Sequence, residues 1–312
     1  MKKNIYYAMA IAATALFAAC SSDDDVLANV DENQEITIIA KLPQEVTTRV
    51  SYVDESEGST YSVKPSWQEG DQVKVTYSES SYKSGNYGVN TSTGVITNFS
   101  KNPDNNTYVY LGYPLSSVNS NNNFGFSVSE STVTWSPKNQ NKLIFSELSN
   151  LTERNLMLGS FKYTQASDKE QVVNFENQYA LLKFCVKLKA GDSRTTLTEV
   201  TFGNLNDAGT GLGNTIISGT LVSNASGGFD WNKSDPSASG LTTGSGASFP
   251  LSGADASGYK EAIFYALVIP QTFDKGLYLE VKDGGSRFTY KATGSQELKA
   301  GYMYGIKAKA EK

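Results

Sequence analysis

The sequence predicts an all-β protein built as two β-sandwiches, and three observations carry that expectation. Apolar residues recur at a period of two almost everywhere, and clusters of Gly, Asn, Asp and Ser separate the short apolar segments. No window of helical length sustains a 3.6-residue period. The 18 tyrosines and 14 phenylalanines point the same way, because aromatic side chains suit a pleated surface.

The N-terminus is of a different kind. Met1-Lys2-Lys3 precedes an Ala-rich apolar run from Ile5 to Ala19 that stops at Cys20. A spanning helix needs about 20 apolar residues, so residues 1–19 read as a signal peptide. Leu16-Phe17-Ala18-Ala19-Cys20 resembles a bacterial lipobox, with Phe17 where Leu is usual. That resemblance implies acylation of the Cys20 thiol, cleavage on its N-terminal side, and a lipid anchor in the outer membrane. The run Ser21, Ser22, Asp23, Asp24 and Asp25 is too polar and self-repelling to fold, so it forms a solvated tether. It also resembles the acidic export signal that sends some lipoproteins to the cell surface. Residues 20–35 are therefore expected to be a lipidated acidic linker.

Composition then excludes several functions. With Cys20 acylated, Cys185 is the remaining thiol, no intramolecular disulfide can form, and the apolar core must hold the fold. Loss of Lys2 and Lys3 takes the formal charge of −5 to about −7, which argues against nucleic acid or an anionic membrane surface as partner. The chain has no histidine, the usual general base and metal ligand near neutral pH. This removes Ser-His-Asp triads and His-ligated zinc, and the chain reads as a non-enzyme without a cofactor.

The strands follow in order. Ile36 to Leu42 is strand-like, and Val73 to Tyr77 alternates. In Leu182 to Lys189, Leu182, Phe184, Val186 and Leu188 share one face, while Lys183, Cys185, Lys187 and Lys189 share the other. Ala262 to Ile269 is apolar on both faces and is stopped by Pro270, as expected of a strand covered on both sides. Leu277 to Val281 and Tyr302 to Ala308 alternate again. Asn102 to Asn106, Asn119 to Asn123, Asp283-Gly284-Gly285 and the long stretch from Gly203 to Gly258 read as turns and loops. A boundary near 175 divides the mature chain into sandwiches at 36–175 and 176–312.

Chemical motifs are few. Gly209-Thr210-Gly211-Leu212-Gly213 lacks the Lys and the following helix of a phosphate loop, and reads as a turn. Asp23 to Asp25, Asp54-Glu55 and Asp283 match no calcium-loop spacing and read as solvated charge. No carboxylate has a context that singles it out for glycoside hydrolysis. Tyr82, Tyr87, Tyr108, Tyr110 and Tyr113 fit cross-strand packing better than a sugar-stacking patch. The neighbouring lysines would lower the pKa of Cys185, yet without a histidine it reads as a structural thiol.

Several motifs together carry a resemblance. Lys64 to Val73 (KPSWQEGDQV) has a Trp, two residues, then Gly-Asp and a strand. Asn177 to Phe184, Ile216 to Leu221, Ala266 to Gln271 and Leu298 to Tyr304 follow in an order similar to that of the fimbrillin family, the subunits and accessory proteins of type V pili. The resemblance covers roughly Ile36 to Lys309, although the His often seen near the start of the family's mid-chain strand is absent. It implies two transthyretin-like sandwiches, a lipoprotein precursor, and cleavage after an Arg in the first domain by a trypsin-like protease. It further implies a groove that accepts a donor strand from another subunit, in which unpaired backbone and apolar surface are both satisfied. Arg49, followed by Val50, is the candidate processing site, an exposed strand-end arginine being the plain alternative. Shaft-forming relatives donate C-terminal residues, so Tyr302 to Ala308 is either part of a donor appendage or the final strand of a tip, anchor or accessory subunit. The implied partners are other subunits and a host protein or glycan. The alternative is a monomeric surface lipoprotein that binds glycan through loop aromatics.

Overall fold

The computed structural model describes residues 36–43, 47–50, 66–114, 124–129, 132–137, 143–147, 154–165, 169–189, 195–243 and 246–310, all within a compact unit spanning Glu35–Lys312. Cys20 and the run from Ser21 to Asp25 lie outside the described residues, as do Asp54 and Glu55. The described residues contain no α-helix, and so no helix long and apolar enough to cross a membrane. The fold is all-β, as the period-two alternation predicts.

The chain runs through β1 (Thr37–Lys41), β2 (Thr47–Val50), β3 (Gln72–Ser78), β4 (Tyr82–Gly88) and β5 (Thr107–Tyr113). Next come β6 (Phe124–Ser129), β7 (Thr132–Pro137), β8 (Ile144–Phe145), β9 (Met157–Tyr163), β10 (Glu170–Asn174) and β11 (Glu176–Asn177). The ten-residue β12 (Ala180–Lys189) is followed by β13 (Thr196–Leu197), β14 (Glu199–Asn204), β15 (Gly219–Ser223), β16 (Phe229–Lys233), β17 (Leu241–Thr242) and β18 (Phe249–Pro250). The last are β19 (Tyr259–Val268), β20 (Gln271–Phe273), β21 (Gly276–Lys282), β22 (Arg287–Thr293), β23 (Gln296–Leu298) and β24 (Tyr302–Ala310).

Turn chemistry closes the hairpins as the sequence suggests. Between β21 and β22, Gly284 takes φ +88° and the Asp283 carboxylate accepts from the Ser286 and Gly285 amides at 2.7 and 3.2 Å. Between β3 and β4, Asp104 accepts from the Ser78 hydroxyl and the Ser80 amide at 2.6 and 2.9 Å, holding Ser80 at φ 59°.

Alternation then distributes side chains among three cores. Leu182, Phe184 and Val186 of β12 pack with Phe264 and Ile306 of the β2-β24-β12-β19-β8 sheet against Phe202, Leu279 and Val281 of the β17-β14-β21-β22 sheet. A second core lies between the β11-β9-β5-β3-β4 sheet, which gives Val73, Val75, Val109 and Leu111, and the β1-β10 pair with the Val89 to Phe99 segment. The third joins the opposite faces of those layers. Tyr110 and Leu158 meet Leu181, Leu267 and Met303 there, with Trp135 and Leu221 of the β16-β15-β7-β6 sheet between them. Gly112 permits this approach, since a Cβ there would sit 2.2 Å from the Trp135 ring.

Two expectations need correction. The stretch from Gly203 to Gly258 is not all loop, because β15, β16, β17 and β18 lie within it. These strands are two to five residues long, too short for a period to register among dense turn residues, yet Leu221 pairs with Trp231 over the third core. Nor is the segment from Ala262 to Ile269 covered on both faces throughout. Ile263 is 40% exposed, and burial on both faces is confined to Ala266, Leu267, Val268 and Ile269.

Candidate strand-receiving groove

β1 fills a groove floored by the β11-β9-β5-β3-β4 sheet. Ile36, Ile38 (0% exposed) and Ala40 (2%) face the core, whereas Thr37 and Lys41 face solvent and Ile39 between them is half-buried. Backbone bonds hold it on both edges. β10 runs parallel to it in the register Thr37↔Glu170 to Lys41↔Asn174, with the Thr37 amide donating to the Lys169 carbonyl at 2.7 Å and the Phe175 amide to the Lys41 carbonyl at 2.8 Å. On the other edge the Ala40 amide donates to the Gly94 carbonyl at 2.9 Å and the Ile96 amide to the Ile38 carbonyl at 2.8 Å.

The Ala40 carbonyl points toward that second edge, where the ladder runs out at the turn holding Gly94. The Trp67 indole N–H donates to it at 3.1 Å, so a side chain supplies the missing rung. Trp67 is set edge-on to Tyr113 (5.2 Å) and Phe175 (5.9 Å). The Gly-Asp of its motif positions it. Gly70 takes φ +89°, the Asp71 amide donates to the Gln68 carbonyl, and the Asp71 carboxylate accepts from the Gln68 amide at 2.7 Å and the Tyr113 hydroxyl at 2.9 Å. Gly94, at φ +74°, lies so close to the strand that a Cβ there would be 2.4 Å from the Ala40 oxygen. The floor is uncharged. Burial, with Tyr87 alongside, pushes the Tyr77 hydroxyl up to about 12.

Arg49 and Val50 are the last two residues of β2. This four-residue strand runs parallel to β24 at one edge of its sheet, with Arg49 in register with Tyr304 and Val50 with Gly305. β24 is an inner strand between β2 and β12, burying Met303, Tyr304, Ile306 and Ala308.

The remaining candidates sit elsewhere. Tyr110 is buried in the third core, Tyr82 and Tyr108 pack against that core, and Tyr87 and Tyr113 pack against the second, so these tyrosines form no surface patch. The Gly209 to Gly213 segment is a turn tied by the Asn206 side chain to the Thr210 amide at 2.9 Å. Asp283 serves its hairpin. Cys185 is half-buried between Ile263 and Lys307, and burial pushes its thiol up, against the lowering by Lys183 and Lys307. That corrects the expectation drawn from the lysine face, on which Lys183 is itself only 9% exposed. Among the described residues no group of three or more Cys, Asp or Glu could hold a metal ion.

Sequence reasoning missed Gly94, Tyr113 and Phe175 as groove residues, and it missed a cleft of about 680 Å³ with mixed polar and apolar walls beside β20 and β23. Its polar lining includes Asn204, Asn214, Lys233, Asp274 and Glu297, and Ile216, Pro236, Pro270 and Leu298 give it apolar wall. The Gln271 amide shapes it by exchanging hydrogen bonds with the Ile216 backbone at 2.8 and 2.9 Å. Pairing across 55 residues leaves no local signal in the chain.

A family model described as fimbrillin-like matches residues 48–312. No curated protein matches the chain. Among solved structures, the chain is similar to a candidate cell adhesion protein from Bacteroides ovatus at 14% identity, with 89% of this chain and 96% of that one covered and a TM-score of 0.48. A candidate adhesin from Bacteroides thetaiotaomicron is similar at 10% identity, 81% and 77% coverage and a TM-score of 0.41. A candidate polysaccharide binding protein from the same organism gives 12%, 81%, 78% and 0.40. The family match takes in the Trp67 to Asp71 motif, the groove floor and the last strand, and the chain belongs to the fimbrillin-like family.

Proposed function

We propose that this chain is a surface adhesion protein, a subunit or a tip or anchor component of a pilus, tethered by lipid on Cys20 and assembled by strand addition after proteolysis. The observation that carries this reading is the way β1 is held. It is bonded through its backbone on both edges and, with the preceding Ile36, inserts three side chains into a core otherwise made by later residues. Its withdrawal would leave the Ile96, Phe175 and Trp67 donors and the Gly94 and Lys169 acceptors without partners. Each of these groups that stays shielded from water costs about 1–3 kcal/mol, and an incoming strand would satisfy them together. Assembly of this kind needs no catalytic residue.

Arg49 suits processing because β2 is short and, among the described residues, lies at the edge of its sheet. A cut after Arg49 detaches β1 and three of the four β2 residues from the rest of the chain. The test is limited digestion of the folded protein with an arginine-specific protease, read by mass spectrometry and light scattering. The first cut should fall at Arg49-Val50 and be followed by growth in mass, with Arg49→Ala abolishing both. An uncut bond at Arg49 while Arg287 is cleaved would refute the assignment.

The cleft beside β20 supports a second reading, direct glycan binding. Its amide, carboxylate, hydroxyl and ammonium groups are the donors and acceptors that sugar hydroxyls pair with. A glycan array with hits lost on Asp274→Ala, and no assembly after proteolysis, would favour it over strand addition.

A further inference from the structure

Resting on the strand-addition reading, we infer that the groove selects its incoming strand by size at alternate positions: bulky, bulky, then small. Trp67 and Gly94 set the last requirement. The partner is thus an extended segment with large apolar residues in the places of Ile36 and Ile38 and an alanine-sized residue in the place of Ala40.

At Ile36 and Ile38 the strand meets a deep apolar core that accepts full-sized side chains. At Ala40 the backbone is pinned. The Gly94 backbone abuts the Ala40 carbonyl too closely for even a methyl group, and Gly94 and Trp67 bond the Ala40 amide and carbonyl respectively. The strand therefore cannot retreat at this point to make room, while the Ala40 side chain faces a close-packed core. A larger residue there overpacks the site. Of the outward positions, Thr37 and Lys41 are exposed and exert no selection, while Ile39 is half-buried beside Val95. The Trp67-Gly70-Asp71 motif thereby acts as a positioning device. It adds a backbone contact that any residue can satisfy and fixes the register in which side chains are compared.

The test uses the full chain with a specific protease site inserted between Pro43 and Thr47, nicked in the folded state. Labelled peptides of the segment Glu35 to Pro43 then compete for the groove, read by fluorescence anisotropy. The native peptide should enter, and Lys41→Gln should match it within about twofold. Ala40→Leu should bind about ten- to a hundredfold more weakly, and Trp67→Phe protein should hold the native peptide less tightly. Equal entry of the Ala40→Leu peptide would overturn the size rule while leaving strand addition intact. Failure of the native peptide to enter would refute strand addition itself, and the size rule with it.

Discussion

At the scale of single residues, Trp67 shows how a side chain can complete a β-ladder. Its indole bonds a carbonyl that the neighbouring segment does not reach, and the ring stands on Tyr113 and Phe175. Trp67→Phe keeps the aromatic packing but strands that buried carbonyl, so urea denaturation should show a loss of about 1–3 kcal/mol. No change in midpoint would remove Trp67 from the account. The sequence places Trp67 in a recognisable motif, but a hydrogen bond to a strand 27 residues earlier has no local signature. Cys185 teaches the converse. Its lysine neighbours are legible and predict a lowered pKa, whereas half-burial raises it. A raised pKa keeps the thiol protonated to higher pH, so in a Cys20→Ser background alkylation should accelerate only above the ordinary value of 9.0. An inflection below 9.0 would show that the lysines win.

At the scale of elements, β1 is defined by its surroundings as much as by its own alternation. Ile36, Ile38 and Ala40 are readable as a buried face, but the parallel pairing with β10, more than 130 residues later, is not. Gly94 belongs to the same element physically, since its positive φ and its approach to Ala40 both require the missing Cβ. Gly94→Ala should therefore loosen β1 more than the rest of the molecule. In hydrogen exchange, the Ala40 and Ile96 amides should lose protection while those of β12 keep theirs; uniform behaviour would contradict a separately held strand. Long strands such as β12 and β21 were legible because period two repeats several times within them. β15 to β18 were not, since two to five residues carry too few repeats and their turns dominate the composition.

At the scale of the whole molecule, strands from the first half build sheets of the second. β2 and β8 flank the sheet of β12, and β15 pairs with β7. The third core locks these layers together, whereas β1 lies at one side of the second core and takes no part in the third. All-β class and alternating cores follow from hydrophobic period alone; this crossing of strands does not, because short edge strands are placed by tertiary contacts and not by their own residues. The central claim is that assembly requires the groove to be vacated. Ile39 and Val95 face each other across an antiparallel bridge between the Ala40-Gly94 and Ile96-Ile38 hydrogen bonds, the closely spaced kind of pair that suits a disulfide. A chain carrying Ile39→Cys and Val95→Cys, cut after Arg49 and followed by light scattering, should stay monomeric when oxidised and grow in mass when reduced. Growth of the oxidised, stapled protein, or no growth of either form, would contradict the account.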